Sequence, residues 1–348
     1  MVRTRTFWSA SRKLYRICPI RSRGFALRIL ITGGAGFIGS WIAYQLDGHD
    51  VLTLDDLSGG YRSNVNGPMQ QATLVDAAEV DRIVGTFQPE MIIHCAAYAA
   101  EGLSHWMRRY CYTENLVGWA NLANAAVDNG VKRIVALSSI SVYGSQSPPF
   151  TEDMPCQPED PYGAAKAALE ADVKSLAAVH GISTLIVRPH NVYGPRQNLA
   201  DPYRNVVAIF MRQALSRQPI TVFGDGSQTR AFSYVEDVSR AIATLAVSDV
   251  ETTVNIGGEE PCTIASLARQ VKALTGTSSP IVCLPPRHEV ADAWSNHDRL
   301  RGLLGGWDPT PLEVGLGRMV EWAKTVEIGE LRQYDYETDV KLYAPWVR

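Results

Sequence analysis

The feature that most constrains this chain is Gly33-Gly34-Ala35-Gly36-Phe37-Ile38-Gly39, set between an apolar run, Leu27–Thr32, and an amphipathic stretch, Phe37–Leu46. The apolar run reads as a buried strand and the stretch as a helix. Glycines spaced G-x-x-G-x-x-G permit a tight turn, let backbone approach a pyrophosphate, and leave its charge at the helix N-terminus. The spacing alone is an ordinary turn-and-cap pattern. A strand before it, a helix after it and an acid at the end of the next strand make it a dinucleotide site. Asp55 supplies that acid, after the strand-like Val51–Leu54 and 16 residues past Gly39. A carboxylate there accepts hydrogen bonds from both adenosine-ribose hydroxyls and repels a 2′-phosphate, which favours NAD over NADP.

The alternation continues. Ala77–Phe87 reads as a helix, Met91–Cys95 as a third strand, Leu116–Asn129 as a helix and Val131–Ser138 as a further strand. A long helix, Ala164–Val179, and a strand, Ser183–Arg188, follow. Such alternation implies right-handed βαβ units with ligands at the carboxyl ends of the strands. The expected fold is therefore α/β: a Rossmann-type doubly wound parallel sheet with a smaller C-terminal α/β substrate lobe. Its expected parts are a basic extension (1–26), an NAD-binding Rossmann domain (27–190), a mainly substrate-binding lobe with segments returning to the sheet (191–330) and a C-terminal tail (331–348). In the lobe, Val206–Leu215, Glu236–Val247, Thr263–Thr275 and Leu312–Thr325 read as helices, with short strands near Ile220–Phe223 and Val254–Ile256.

Composition narrows the function. With 46% hydrophobic and 20% charged residues among 348, the chain is neither disordered nor fibrous. The formal charge of −3 conceals an asymmetry. Residues 1–27 hold Arg3, Arg5, Arg12, Lys13, Arg16, Arg21 and Arg23 and no acid, while the remainder carries 26 basic against 36 acidic side chains. So acidic a body lacks the footprint of a nucleic-acid binder. No apolar run approaches the ~18–20 residues that cross a bilayer. Neither a nucleic-acid partner nor a membrane partner is expected. The six cysteines are scattered, with no CxxC pair, which argues against structural zinc and a disulfide scaffold. No metal site is expected, and a cytoplasmic, reducing environment is. The Arg-rich N-terminus resembles a mitochondrial-type transit sequence, which leaves organellar targeting open; a flexible extension or an over-long start fits it too.

The reactive groups lie further along. Tyr162-Gly-Ala-Ala-Lys166 opens the long helix, and a separation of four residues stacks both side chains on one face. An ammonium near a phenol favours phenolate and lowers a pKa that is ~10 unperturbed. Such a tyrosine could exchange a proton with a substrate hydroxyl. YxxxK alone is common by chance. Ser138-Ser139, at the end of a strand some 23 residues earlier, adds a hydroxyl able to share the same substrate oxygen.

In order, TGGAGFIGS, DDLSGG, HCAA, SSISVYG, YGAAK, RPHNVYGP, FGDGSQTRAFSYVEDV and LLGGWDPTPLEVGLGRMVEW run along the chain. With these motifs it resembles an extended short-chain dehydrogenase/reductase of the NAD-dependent nucleotide-sugar epimerase/dehydratase family, over roughly residues 27–325. The resemblance implies catalysis by Ser139, Tyr162 and Lys166. It implies NAD contacts at Gly33, Gly36, Phe37, Ile38, Asp55, Asp76 and Ala96, as well as at Tyr162 and Lys166. Asn191, Arg230 and Arg287 fall where the family grips the nucleotide diphosphate, and the planar arginine fork suits phosphate. Asn115 falls where it would support the active-site backbone. A homodimer is implied, through Leu103–Asn129 and Pro161–Val179, with Leu116, Trp119, Leu122, Leu169 and Val173 as interface or ordinary core.

In that family the tyrosine removes a sugar hydroxyl proton while hydride passes to NAD+, giving a keto-sugar. A 4,6-dehydratase adds an Asp-Glu pair where this chain has Ile140-Ser141, and a UDP-glucuronate decarboxylase has glutamate where Ser141 stands. Both absences favour 4-epimerisation of a nucleotide sugar, a UDP-sugar foremost. Two departures keep alternatives open. The loop Tyr98–Trp106 does not follow the epimerase pattern, and Glu101 could place a carboxylate near the sugar, with His105 or Cys111 close by, as an unusual dehydratase would need; equally, Glu101 could be solvated or cap the next helix. Arg230-Ala231 stands where Arg-Asp is usual. His190 reads as packing rather than as a sugar contact. A non-catalytic NAD-binding regulator is disfavoured by the presence of Ser139, Tyr162 and Lys166 together.

Overall fold

Strand β1 (Arg28–Thr32) sets the plan of the molecule. Ile29 and Ile31 enter one core and Leu30 another on the opposite face, as a pleated strand must when both faces are covered. The computed structural model describes residues 26–338. Around β1 it builds a seven-stranded sheet from β2 (Asp50–Asp55), β3 (Met69–Gln71), β4 (Met91–His94), β5 (Arg133–Leu137), β6 (Ser183–Pro189) and β7 (Thr253–Ile256). The order is β7-β6-β5-β4-β1-β2-β3, with every pairing parallel. The strand order reverses between β1 and β4, and the crevice above their carboxyl ends is where such sheets bind ligands.

Among the described residues, the eight helices of nine or more residues pack on and beside this sheet: α1 (Phe37–Gln45), α2 (Ala77–Phe87), α3 (Gly118–Asp128), α4 (Pro161–His180), α5 (Val206–Leu215), α6 (Val235–Ala246), α7 (Ile264–Thr275) and α8 (Leu312–Ala323). Helices α1 and α6 cover the Ile29 face, and α2, α3 and α4 the Leu30 face. Helices α5, α7 and α8 gather around their own core of Phe210, Met211, Leu267 and Met319. Thus β7 and α6, late in the chain, belong to the sheet layers. Residues 1–25 and 339–348, which hold nearly all of the basic extension and the end of the tail, lie outside the described residues. Among those described, no helix is long and apolar enough to cross a membrane.

The local chemistry explains the boundaries that matter. Helix α4 starts where Asp160 accepts a hydrogen bond from the Gly163 amide with Pro161 in the first turn, and stops at Gly181 in the left-handed region; these are the usual start and stop signals of a helix. The helix expected from Leu116 is instead the end of a run that begins at Arg108. A π-turn, Thr113–Val117, separates the two pieces. It inserts an extra residue into the turn and so breaks the 3.6-residue period on which the sequence reading relies.

Behind the carboxyl edge lies a buried ion pair. Arg188 of β6 makes a fork with Glu170 of α4, at 2.7 and 2.6 Å, and both side chains are 2% exposed. Glu170 also accepts from the Ser138 hydroxyl at 2.5 Å. Removing one partner strands the other charge in a low dielectric. Arg188→Met is therefore expected to cost about 3–5 kcal/mol, read as a lowered denaturant midpoint; an unchanged midpoint would refute it.

Candidate active site

The glycine turn is built for close approach. Gly33 is left-handed at φ +68°, and a β-carbon there would lie 2.6 Å from the Ala96 amide nitrogen. One at Gly39 would lie 2.3 Å from the Gly33 carbonyl oxygen. Helix α1 begins at Gly36 with no side-chain cap, so its first amides remain available to an anion. Asp55, at the end of β2, accepts from the Ala35 and Leu57 amides at 3.0 and 2.8 Å. Burial raises its pKa, and those amides oppose the shift. Gly33, Gly36, Phe37, Ile38, Asp55 and Ala96 all line one cavity of about 620 Å³ that continues into the second half of the chain. A turn that lacks β-carbons at Gly33, Gly34 and Gly36, beside a buried carboxylate, fits a dinucleotide.

On the far side of that cavity β5 and α4 present the reactive groups. Ser139 follows β5 and accepts from the Ser141 amide and hydroxyl, at 3.2 and 2.9 Å. Its own hydrogen is thereby left free to donate, and its closeness to Tyr162 acts to lower the phenol pKa. Ser141, where a glutamate would mark other chemistry, thus orients Ser139. The expected Tyr162–Lys166 arrangement is corrected in one respect. Lys166 donates to the Leu137 carbonyl at 2.7 Å and sits 5.9 Å from the phenol ring centre. Burial lowers the lysine pKa to about 8. Burial likewise raises that of Tyr162, and the Glu101 and Asp160 carboxylates add to the rise. Desolvation opposes both charged forms, so the pair does not by itself yield a phenolate.

Glu101 opens the 3-10 segment Glu101–Trp106 and points into the cavity, where protein surrounds it while the cavity itself keeps it accessible. Burial pushes its pKa up to about 7, with the neighbouring Asp160 adding and Arg230 and Arg287 opposing. Asp160, whose own pKa burial also raises, is held by Gly163 and by the Ser104 hydroxyl at 3.2 Å. His105 lines the cavity, whereas Cys111 faces the core beside Asn115. Asn115 donates to the Tyr98 and Cys111 carbonyls at 3.2 and 2.8 Å, bracing the loop that carries Glu101.

Asn191, Arg230 and Arg287 line the same cavity, the two arginines near enough to Glu101 to act on its charge. Arg230 donates to the Thr229 and Ala291 carbonyls, each at 2.8 Å, and to that of Val290. Arg287 pairs with Glu289 at 3.0 Å and covers the Phe223 ring. Glu289, 3.8 Å from Arg230, supplies the counter-charge that Ala231 cannot. Asp76 is corrected: it caps α2 by accepting from the Glu79 amide at 3.1 Å and does not line the cavity. Trp119, Leu122, Leu169 and Val173 are buried within the single chain, so they are core and not a subunit interface. His190 is buried against His297, with ring nitrogens 2.9 Å apart, in keeping with a packing role.

Residues 29–257 match the NAD dependent epimerase/dehydratase family. The chain belongs to that family. It is 34% identical over 312 residues to the UDP-glucose 4-epimerase of Mycolicibacterium smegmatis, covering 85% of this chain and 98% of the relative. Among solved structures, the UDP-glucose 4-epimerase of Thermotoga maritima with UDP-glucose superposes with a TM-score of 0.81 at 32% identity, over 86% of this chain and 99% of that one. The NAD complex of the Thermus thermophilus UDP-glucose 4-epimerase has the same TM-score, identity and coverage. Membership in an NAD-dependent family makes NAD the cofactor that the glycine turn and Asp55 fit.

Several lining residues of this family member escaped the sequence reading: Asp160, Glu289, Arg204 and Arg332. Only Asp160 had a local signal, since an acid before Pro-Tyr is a helix cap as well. One consequence concerns acidity. The Glu101 carboxylate opposes ionisation of Tyr162, so Glu101→Gln is expected to lower the tyrosine pKa. Phenolate absorbance against pH, with Tyr162→Phe as the blank, measures this; an unchanged or raised midpoint would contradict the electrostatics.

Proposed function

We propose that the protein is an NAD-dependent nucleotide-sugar 4-epimerase that acts on a UDP-sugar through a transient 4-keto-sugar. The observation that carries this reading is that Ser139 and Tyr162 line the same cavity as the glycine turn, with Ile140 and Ser141 where a dehydratase would hold its acid and base. Bound NAD+ supplies the hydride acceptor and, once reduced, the donor. Tyr162 takes the proton from the C4 hydroxyl and later returns it. Ser139 donates a hydrogen bond to the same oxygen, held in place by Ser141. Lys166, buried beside Tyr162, places the positive charge that draws the phenol toward ionisation once a ligand displaces its bond to Leu137. Asn191, Arg230 and Arg287 hold the diphosphate, so that the sugar can turn over between two half-reactions while its nucleotide stays anchored.

A second reading is favoured by one feature. Glu101 and Asp160 bring two carboxyl groups of raised pKa to the sugar end, and a proton-bearing acid at neutral pH is what elimination of water from a 4-keto-sugar requires. The homodimer belongs to the proposal as well, its evidence being the resemblance alone; sedimentation analysis decides it.

Incubation with a panel of UDP-, GDP- and dTDP-sugars, followed by proton NMR, separates the readings. A C4-inverted sugar is the expected product. A deoxyketo or unsaturated sugar would replace the first reading with the second, and no conversion would argue for a regulator. Tyr162→Phe is expected to lower turnover by about 10²–10⁴-fold, the usual contribution of a positioned acid/base, with NAD still bound. Undiminished turnover would sink the assigned mechanism.

A further inference from the structure

Residues 331–338 do more than trail from the lobe. The Arg332 amide donates to the Ala200 carbonyl at 3.0 Å, and its guanidinium donates to the Ser58 carbonyl. Tyr334, 6% exposed, packs with Tyr98 and Tyr162 and donates to Asp201 at 2.8 Å. The hydroxyls of Tyr336 and Tyr203 are bonded to each other. Finally Glu337 accepts from the Arg109 and Tyr110 amides at 2.9 and 2.7 Å, and its own amide donates to Trp106 at 3.0 Å. The segment is thus a strap. It crosses from the loop after β2, over the second half of the chain, to the loop that carries Glu101.

What lies beneath its first arginine is the roof of the cofactor site. The Tyr61 amide and the Asn64 side chain both bond to the Ala35 carbonyl at 3.0 Å. A β-carbon on Gly60 would sit 2.8 Å from the Gly36 nitrogen. The loop 58–61 therefore lies directly on the glycine turn. Two guanidiniums meet its outer side: a β-carbon on Gly59 would be 2.7 Å from Arg204 Nη2 and 3.9 Å from Arg332 Nη1. Arg204 is itself aimed by Asp201 at 2.9 Å and by the Ala99 carbonyl at 3.2 Å. Asp201 thus serves both Arg204 and the strap's Tyr334. Both arginines line the same cavity as Gly33 and Gly36, and a guanidinium's five donors leave N–H groups for an anion beyond those used here.

We infer that Arg204 and Arg332 form a cationic latch that keeps the 58–61 loop closed over the NAD pyrophosphate. A family chemistry that removes a hydride and gives it back must keep one dinucleotide bound through both transfers. The turn itself offers only backbone amides, in a body of net negative charge. The latch provides the missing positive charge from two distant segments, and the strap holds it in place. This rests on NAD as cofactor and not on which nucleotide sugar is turned over.

Protein loaded with NADH and chased with excess NAD+ reports release directly, as loss of bound-NADH fluorescence. Arg332→Ala and Arg204→Ala are each expected to speed release about tenfold or more, the effect of losing a charge-assisted hydrogen bond. Arg332→Lys should recover part of the retention. Glu337→Gln, which loosens only the far end of the strap, should have a smaller effect in the same direction. Wild-type release rates in both alanine variants, with unchanged melting, would overturn the latch. Faster release in Glu337→Gln alone would also overturn it, assigning retention to strap docking without the guanidiniums. If an alanine variant does not fold, Arg332→Gln decides, since it keeps a donor for Ser58 and removes the charge. Wild-type protein that retains no NADH would instead count against NAD itself.

Discussion

Glu170 and Arg188 meet where almost no water reaches either partner, and the reactive edge of the sheet hangs from that meeting. Glu170 lies one helical turn beyond Lys166, so the pair fixes the rotation of α4 and with it the direction of Tyr162. Its bond to Ser138 pins the residue next to Ser139. On the other side Arg188 donates to the Tyr143 hydroxyl at 2.7 Å, which donates to Asn255 of β7 at 2.8 Å. These elements are held by one connected set of hydrogen bonds, charge-assisted where Glu170 and Arg188 take part, in surroundings where such bonds are strong and their loss is severe. Position comes first here, because proton transfer requires hydrogen-bond reach before it requires a suitable pKa.

Charge within the site follows from burial more than from pairing. In water a lysine beside a tyrosine would make the phenol more acidic. Inside this fold desolvation raises one pKa and lowers the other, and two carboxyl groups sharpen the effect on Tyr162. The resting site therefore keeps its phenol protonated.

How much of this could be read from the sequence depended on the range of each interaction. The glycine turn, Asp55 and the β1 core are local or periodic, and they were legible. A short strand near Val254–Ile256 was legible too, but not that it is the segment that returns to the sheet. Asp76 carried a second signal that the sequence reading passed over, that of the cap of α2. The π-turn at Thr113–Val117 hid the start of its helical run, since periodicity fails where a residue is inserted. Arg204, Arg332 and Glu289 were missed: Arg204 and Glu289 each have one partner nearby in sequence, Asp201 and Arg287, but the contacts that set them in the cavity come from other segments, as with Arg204 and Ala99 or Arg332 and Ser58, 274 positions apart. A side chain's direction into a cavity is set by packing, and packing is not written in any window of neighbours.

The position of β7 bears on how the molecule comes into being. Strand β6 is complete at Pro189, yet its outer edge is paired only by Thr253–Ile256, and the helix α6 that seals the adjoining face is equally late. A ribosome releasing the chain from its N-terminus thus exposes a sheet with one open rim until some sixty further residues have emerged, and open strand rims invite pairing with other chains. Cutting the gene at the apparent boundary near residue 190 would make that interval permanent. The first half and the second are consecutive in sequence but must be finished together.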